Sequence, residues 1–189
     1  MWPGLLQALK HNVNRQQTRV RLFESGLCFV PGADDAGVNS IKQEAMFSGV
    51  VCGEINHEQW SDKSRKVDFY DVKSDVEALL AYSSDAPSFE SGHHPALHPG
   101  QSACIKQNKE VIGWMGALHP EVEKKLGIDQ RVFVFEIRQC ALDNNYIPSL
   151  YPLSRFQEVS IDMPILVDEQ VSVGYILESI DKFSSKIFH

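Results

Sequence analysis

The sequence predicts an α+β protein built on a largely antiparallel sheet. Several short stretches alternate apolar and polar residues, as half-buried strands do, whereas a few longer stretches repeat apolar residues every three or four positions, as helices do. Turn-forming residues separate these stretches. Two of the strand-like stretches, 102–106 and 110–118, meet at a hairpin turn near Asn108, which favours antiparallel pairing.

The first half of the chain predicts two helices and two strands. A helix covers residues 4–16, and a strand over 20–30 ends at a Pro-Gly turn signal. A second strand covers 45–55, where Gly49 permits a close approach of a neighbour. A second helix covers 71–82. The residues that repeat at helical intervals are Leu5, Leu6, Leu9 and Val13 in the first helix, and Val72, Val76, Leu79 and Leu80 in the second.

The second half continues with short strands and one helix. Strands are placed around Phe89 and at 102–106, 110–118 and 131–137, and the helix is placed at 120–126. Gly127 suits the left-handed residue that ends many helices. The strand at 131–137 is mostly apolar on both faces, so it should lie in the middle of the sheet.

A four-residue phrase occurs twice. Residues 96–99 and 117–120 both read Ala-Leu-His-Pro. A proline disfavours helical geometry in the residue before it but is tolerated in the first turn of a helix. The second copy therefore predicts a junction from strand to helix at His119, with Glu121 and Glu123 near the positive end of the helix dipole.

These repeated phrases carry a resemblance to a known family. Residues 94–103 and 113–121 resemble two runs of the β subunit of bacterial phenylalanyl-tRNA synthetase, Asn-Pro-Ala-Leu-His-Pro-Gly-Gln-Ser-Ala and Gly-x-x-Gly-x-x-His-Pro-Glu. Further segments that resemble this subunit, in the same order, lie at 2–6, 14–15, 21–26, 67–77 and 154–162. Together the matches cover most of the 189 residues.

The resemblance implies a fragment with two parts. Residues 1–148 would form a noncatalytic core like that of class II synthetases, on a mostly antiparallel sheet. Residues 149–189 would form a linker and the start of an anticodon-binding domain of ferredoxin-like, RNA-recognition-type fold. In this incomplete second part, the alternation at 159–167 predicts a strand and the spacing at 175–187 predicts a helix.

The resemblance also implies a role. In the family, the core packs against the α subunit and helps position tRNA(Phe) within a heterotetramer of two α and two β subunits. The intact enzyme uses ATP and Mg²⁺, whereas this fragment is expected to bind no cofactor and to have no catalytic residues. Class II synthetases bind ATP through arginines in two motifs, and by resemblance the first would fall at Phe23-Glu24. The chain agrees with a noncatalytic core, because no glycine-rich run ending in arginine, the second motif, follows.

Two residues are candidates for RNA contact by resemblance. These are Ser154 and Arg155, which open the first strand of the anticodon-binding domain. The family's usual proline and arginine are replaced nearby by Gln157 and Ile161, which puts one phosphate contact in doubt. An ion pair of Arg155 with a neighbouring carboxylate is an equally good interpretation.

Two other functions remain open as alternatives. A stand-alone RNA-binding module is disfavoured by the net charge of −7. The basic cluster Arg15, Arg19 and Arg21 is better interpreted as a solvated face or as ion pairs with Glu24 and its neighbours. A metal-dependent or Cys–His hydrolase would need clustered ligands or a nucleophile motif. Its candidate groups are His57, His93, His94, His98, His119, Cys52 and Cys104, which are better interpreted as loop, junction and buried residues with no metal bound.

Composition and cysteine usage favour a cytoplasmic protein. The four cysteines are widely spaced in apolar stretches, which indicates free thiols in a reducing compartment. No apolar run approaches the roughly 20 residues of a membrane helix. No membrane is therefore expected. The resemblance implies the α subunit and tRNA(Phe) as partners, with possible self-association of the fragment.

Overall fold

The computed structural model describes residues 1–31, 41–61, 63–81, 83, 85–142, 150, 160 and 162–184. The chain divides into two compact units, Met1–Tyr146 and Ile147–His189. The elements of the first unit are α1 (Trp2–Asn14), β1 (Arg19–Pro31), β2 (Ile41–Gly53), α2 (Phe69–Leu80), β3 (Ser88–Ser91), β4 (Leu97–Gln107), β5 (Glu110–Leu118), α3 (Pro120–Leu126), β6 (Val132–Arg138) and a 3₁₀ turn (Gln139–Ala141). The second unit contains α4 (Val173–Ser184).

The first unit is built on one six-stranded sheet. Its strand order is β1-β2-β6-β5-β4-β3, and every neighbouring pair is antiparallel. The predicted α+β fold with an antiparallel sheet is therefore confirmed. The strand predicted to be central, β6, lies between β2 and β5.

A helix packs on each face of this sheet, and the central strand β6 presents apolar side chains to both faces. Val132 and Val134 join the core beneath α1, whereas Phe133, Phe135 and Ile137 join the core beneath α2. α1 contributes the side chains that its helical spacing predicted, Leu5, Leu6 and Leu9, together with Trp2. α2 contributes Val72, Val76 and Leu80, whereas Leu79, which the spacing also placed inward, is exposed.

The two copies of the repeated phrase lie side by side. Leu97 in β4 pairs with Leu118 in β5, and both are buried. The amide of His119 donates to the carbonyl of Ala96 at 2.9 Å. His119 has an extended backbone and caps α3, whose first residue is Pro120, as predicted. Gly127 ends α3 in the left-handed conformation.

Element boundaries differ from the predictions where local contacts act. α2 begins at Phe69 rather than at 71, because the Asp68 carboxylate accepts hydrogen bonds from the amides of Tyr70 and Asp71 at 2.8 and 3.1 Å. β2 begins at Ile41 rather than at 45. Three of the four added residues, Lys42, Gln43 and Glu44, are polar, but they pair in continuous register with the end of β1. The two strands thus form a long hairpin that runs past the end of β6.

The second unit departs from the prediction. Residues 162–168, most of the predicted strand at 159–167, have no regular secondary structure, so the described part of this strand prediction is wrong. A strand needs hydrogen-bonded neighbours, and no described residue pairs with this segment. Val159 and Ile161 lie outside the described residues. The helix predicted at 175–187 is present as α4, although its last predicted residues also lie outside them.

The ferredoxin-like arrangement is not found among the described residues of the second unit. Its apolar side chains are instead largely exposed, among them Met163, Ile165, Leu166, Val167, Val173, Tyr175, Leu177, Ile180 and Phe183. Several of them line an apolar groove of about 850 Å³ between 163–171 and α4. In the part of the chain that the structure covers, no helix combines the length and apolar character needed to span a membrane.

Candidate functional site

The long hairpin of β1 and β2 carries an exposed apolar surface. Four of its side chains, Phe23, Leu27, Phe29 and Ile41, are between 57 and 74 % exposed, and we call this set the hairpin surface. Odd-numbered residues of β1 share one face of the strand. That face is the α2 side of the sheet, since Phe23 stacks on Phe47, which stacks in turn on the buried Phe135.

A cavity of about 470 Å³ lies at the base of the hairpin surface. α2 packs over β5 and β6, and its outer side together with β1 and β2 forms the walls. The lining is mainly apolar: Leu22, Phe23, Phe47, Val51, Ala78, Leu79 and Phe135. The stacked rings give centroid separations of 5.6 and 6.1 Å, so an aromatic ladder connects the exposed strand to the core.

The charged groups of this cavity pair with each other. Arg21, on β1, forms an ion pair with Asp75 on α2. Arg19 donates from Nε to the carbonyl of Ile55 at 3.1 Å. Two members of the basic cluster are therefore engaged within the chain, but not with Glu24 and its neighbours as predicted: Arg21 pairs with a carboxylate of α2, and Arg19 bonds to a backbone carbonyl. The rim is electrically balanced and the interior is apolar, so the site suits an apolar partner group better than a phosphate.

Three histidines act as backbone caps. In each His-Pro pair the histidine Nδ1 accepts a hydrogen bond from the amide after the proline. His94 accepts from Ala96 at 3.2 Å, His98 from Gly100 at 3.1 Å, and His119 from Glu121 at 3.2 Å. An accepting Nδ1 carries no proton, so each ring holds its proton on Nε2. Among the described residues, no three His, Cys, Asp or Glu side chains gather in a way that would hold a metal ion.

The cysteines named in the hydrolase alternative are poorly suited to nucleophilic attack. Cys52 is buried, and its Sγ donates to Gln130 Oε1 at 3.3 Å. Burial raises the pKa of the Cys52 thiol to about 11 and also raises the pKa of the Cys104 thiol. Both groups are therefore protonated at neutral pH, whereas the thiolate is the reactive form. This chemistry argues against a Cys–His hydrolase.

We expect His94 to make the stability of the first unit depend on pH. Its ring packs against Trp2 and Trp114, with centroid separations of 5.1 and 5.5 Å. Burial lowers the pKa of His94 below 6.5 and His93 lowers it further, while the Glu136 carboxylate opposes the shift. The unfolded chain therefore binds the proton more readily, so the free energy of unfolding should fall as pH drops below 6.5.

The His94→Asn variant tests this expectation by chemical unfolding between pH 7 and pH 5. An asparagine oxygen can still accept from the Ala96 amide but does not titrate. The variant should lose part of the pH dependence of the unfolding free energy. His93→Asn, at the exposed neighbouring position, should retain it. Identical pH slopes for His94→Asn and the unmodified chain would contradict the assignment.

The residues predicted to contact RNA are not placed by the structure. Ser154 and Arg155 lie outside the described residues, as do Gln157 and Ile161, so their role stays a prediction.

The hairpin surface was not predicted from the sequence. Its signal was present, because Phe23, Leu27 and Phe29 repeat with the period of a strand.

Comparison with known proteins identifies relatives over nearly the whole chain. The profile of the family described as "Phenylalanyl tRNA synthetase beta chain CLM domain" matches residues 1–139. The phenylalanine–tRNA ligase β subunit of Pseudomonas savastanoi pv. phaseolicola is 47 % identical over 182 residues, or 95 % of this chain. That of Coxiella burnetii is 42 % identical over 189 residues, or 99 % of this chain. The chain spans only 22 and 23 % of the length of these two relatives.

A solved structure also shows a distant similarity. PylSc, a pyrrolysyl tRNA synthetase from Desulfitobacterium hafniense, aligns with a TM-score of 0.47 and 11 % identity, covering 74 % of this chain and 46 % of that one. Because this structural similarity is so distant, the assignment of the chain to a family rests on the sequence relatives. On their identity and coverage, the chain belongs to the phenylalanine–tRNA ligase β-subunit family.

Proposed function

We propose that this chain is a noncatalytic core of a phenylalanine–tRNA ligase β subunit. It packs with the α subunit and helps position tRNA(Phe) for ATP-dependent aminoacylation in the cytoplasm. Its six-stranded antiparallel sheet corresponds to a class II synthetase-like core. Membership of the β-subunit family supports this proposal, and so does the presence of a large apolar surface on the hairpin.

The hairpin surface is the observation that carries the α-subunit part of the proposal. Four exposed apolar side chains on one face of two paired strands, beside an apolar cavity, are typical of a protein-binding surface. Exposed aromatic anchors next to a pocket commonly supply most of the free energy of association. The ladder from Phe23 to Phe135 also fixes the orientation of this surface relative to the core.

The residues around the cavity do not fit ATP. A triphosphate requires unpaired cationic or amide donors, whereas Arg21 is paired with Asp75 and the other lining groups are mainly apolar. We therefore assign ATP and Mg²⁺ to the intact enzyme and not to this core. Ser154 and Arg155 remain our proposed RNA contacts, at the start of an anticodon-binding domain of ferredoxin-like fold.

Association with the α subunit should depend on the hairpin surface. Replacing Leu27 and Phe29 together with glutamate puts two charges on a surface that binding would desolvate, so the affinity for the α subunit should fall at least about tenfold. Trp60→Glu is the matched control, because Trp60 is 99 % exposed and lies outside the hairpin. Isothermal titration with the α subunit of the same organism measures both. Equal affinities for the two variants and the unmodified chain would contradict this placement.

The chain by itself should activate no amino acid. We expect phenylalanine-dependent exchange of pyrophosphate into ATP at background level with the purified chain, because its apolar cavity offers no unpaired cation to a triphosphate. The assembled enzyme of α and β subunits serves as the positive control. Exchange above background with the chain alone would overturn the noncatalytic assignment.

A further inference from the structure

β1 is a long edge strand with little to prevent another strand from pairing with it. Among the described residues, β2 is the only strand hydrogen-bonded to β1, so its other edge presents unpaired backbone groups. Its thirteen residues pair with β2 in unbroken register, without a bulge. Natural edge strands are normally shielded by prolines, bulges or inward-pointing charges. Here the only proline is Pro31, the last residue of the strand, and the inward-pointing charge of Arg21 is paired with Asp75 of α2.

We propose that two copies of this chain associate symmetrically through their β1 edges, in antiparallel register centred on Ser25. The two sheets would then join into one continuous twelve-stranded sheet around a two-fold axis. Ser25 is the middle residue of Arg19–Pro31, so this register pairs every residue of one β1 with a residue of the other.

The sequence of β1 is complementary to its own reverse about Ser25. Reflection places apolar residues opposite apolar residues on both faces of the strand. The pairs are Phe23 with Leu27, Leu22 with Cys28, and Val20 with Val30. Cross-strand pairs of aromatic and aliphatic side chains stabilise antiparallel sheets. Phe23 and Leu27 are mostly exposed in the single chain, so pairing would remove apolar surface from water.

The charged residues of β1 also suit this register. Glu24 falls opposite Gly26, Arg21 opposite Phe29, and Arg19 opposite Pro31. No two charges of the same sign therefore face each other, although like charges directly opposite would destabilise the pair. An arginine opposite an exposed aromatic ring can add a cation–π contact. A partner identical to this chain thus fits the edge along its whole length.

Self-association is tested on the chain alone, so the result is independent of the proposed α-subunit contact. Sedimentation velocity over about two orders of magnitude in protein concentration should show a reversible monomer–dimer equilibrium. Leu27→Glu should weaken the dimer at least about tenfold, because it places a carboxylate opposite Phe23 twice per dimer. Trp60→Glu should leave the dimer unchanged. A monomer at every concentration, or a dimer unaffected by Leu27→Glu, would overturn the proposal.

A cross-linking experiment tests the register. Ser25→Cys, in a chain whose Cys28 and Cys140 are replaced by serine, puts two thiols opposite each other at the two-fold axis, where Cβ atoms lie about 5 Å apart. A short bifunctional thiol reagent should therefore give a covalent dimer in high yield. Ser88→Cys, on the opposite edge strand β3, is the control and should give none. Cross-linking equal to or below that of Ser88→Cys would show that the copies do not meet at β1.

Discussion

Replacing Phe135 with alanine is expected to lower the free energy of unfolding by about 3–5 kcal/mol. Phe135 lies in β6, the strand between β2 and β5, and only 5 % of it is exposed. Its ring packs against Phe47 in the core beneath α2 and lies directly over Gly49. A Cβ atom on Gly49 would come within 2.3 Å of that ring, so the strand and the ring fit closely. Truncation therefore leaves a cavity that the rigid sheet cannot close.

Pro120→Ala is the control variant for Phe135→Ala. Pro120 opens α3 at a position where a proline is compatible but not required, so the loss should be at most about 1 kcal/mol. Urea unfolding followed by tryptophan fluorescence, to which Trp2 and Trp114 of the folded unit contribute, measures the unfolding free energy of both variants. Equal losses for Phe135→Ala and Pro120→Ala would contradict the placement of one in the core and of the other at a helix start.

Gly113→Ala is expected to destabilise the protein by roughly 3 kcal/mol, an unusually large effect for the addition of one methyl group. Gly113 lies in β5, opposite Ile137 of β6. A Cβ atom there would stand 2.2 Å from the carbonyl oxygen of Glu136 and 2.9 Å from the Cα of Ile137. Both contacts are with backbone of the central strand, which cannot move aside as a flexible side chain does. Relief of the clash therefore requires the two strands to separate.

Gly4→Ala makes the same chemical change with the opposite expected sign. Gly4 lies in the first turns of α1, and the nearest atom to its added Cβ would be an oxygen of Glu24 at 3.9 Å. The variant should be more stable by about 0.5–1 kcal/mol, because alanine loses less backbone entropy than glycine in a helix. Thermal unfolding of the two variants compares them directly. Similar shifts in melting temperature would show that the tight contact at Gly113 is not present.

The sequence was sufficient for the elements of the first unit. Helical spacing located α1 and α2, and the apolar residues on both faces of 131–137 placed β6 in the middle of the sheet. The prolines and Gly127 located both ends of α3. These predictions succeeded because the signals are local: a proline, a glycine or a three-residue spacing restricts the backbone wherever it occurs.

Prediction failed where a segment depends on a distant partner. The alternation at 159–167 satisfies the pattern of a strand, yet residues 162–168 form none. Conversely, residues 41–44 are mostly polar and predicted no strand, but pairing with β1 makes them one. A strand is stabilised by backbone hydrogen bonds to a neighbouring strand, and its own side chains do not show whether that neighbour is present.

The sequence by itself therefore determined the family, the order of the core elements and the central position of β6. Only the tertiary structure decided that the hairpin extends past β6, that Phe23, Leu27 and Phe29 remain exposed, and that Arg21 pairs with Asp75. A strand with alternating residues buries the face that another element covers. The alternation in its sequence is the same whether that face contacts a helix or water. Which side chains are left for a partner is fixed by how far α2 reaches across the sheet, a property of the packed fold rather than of any local run of residues.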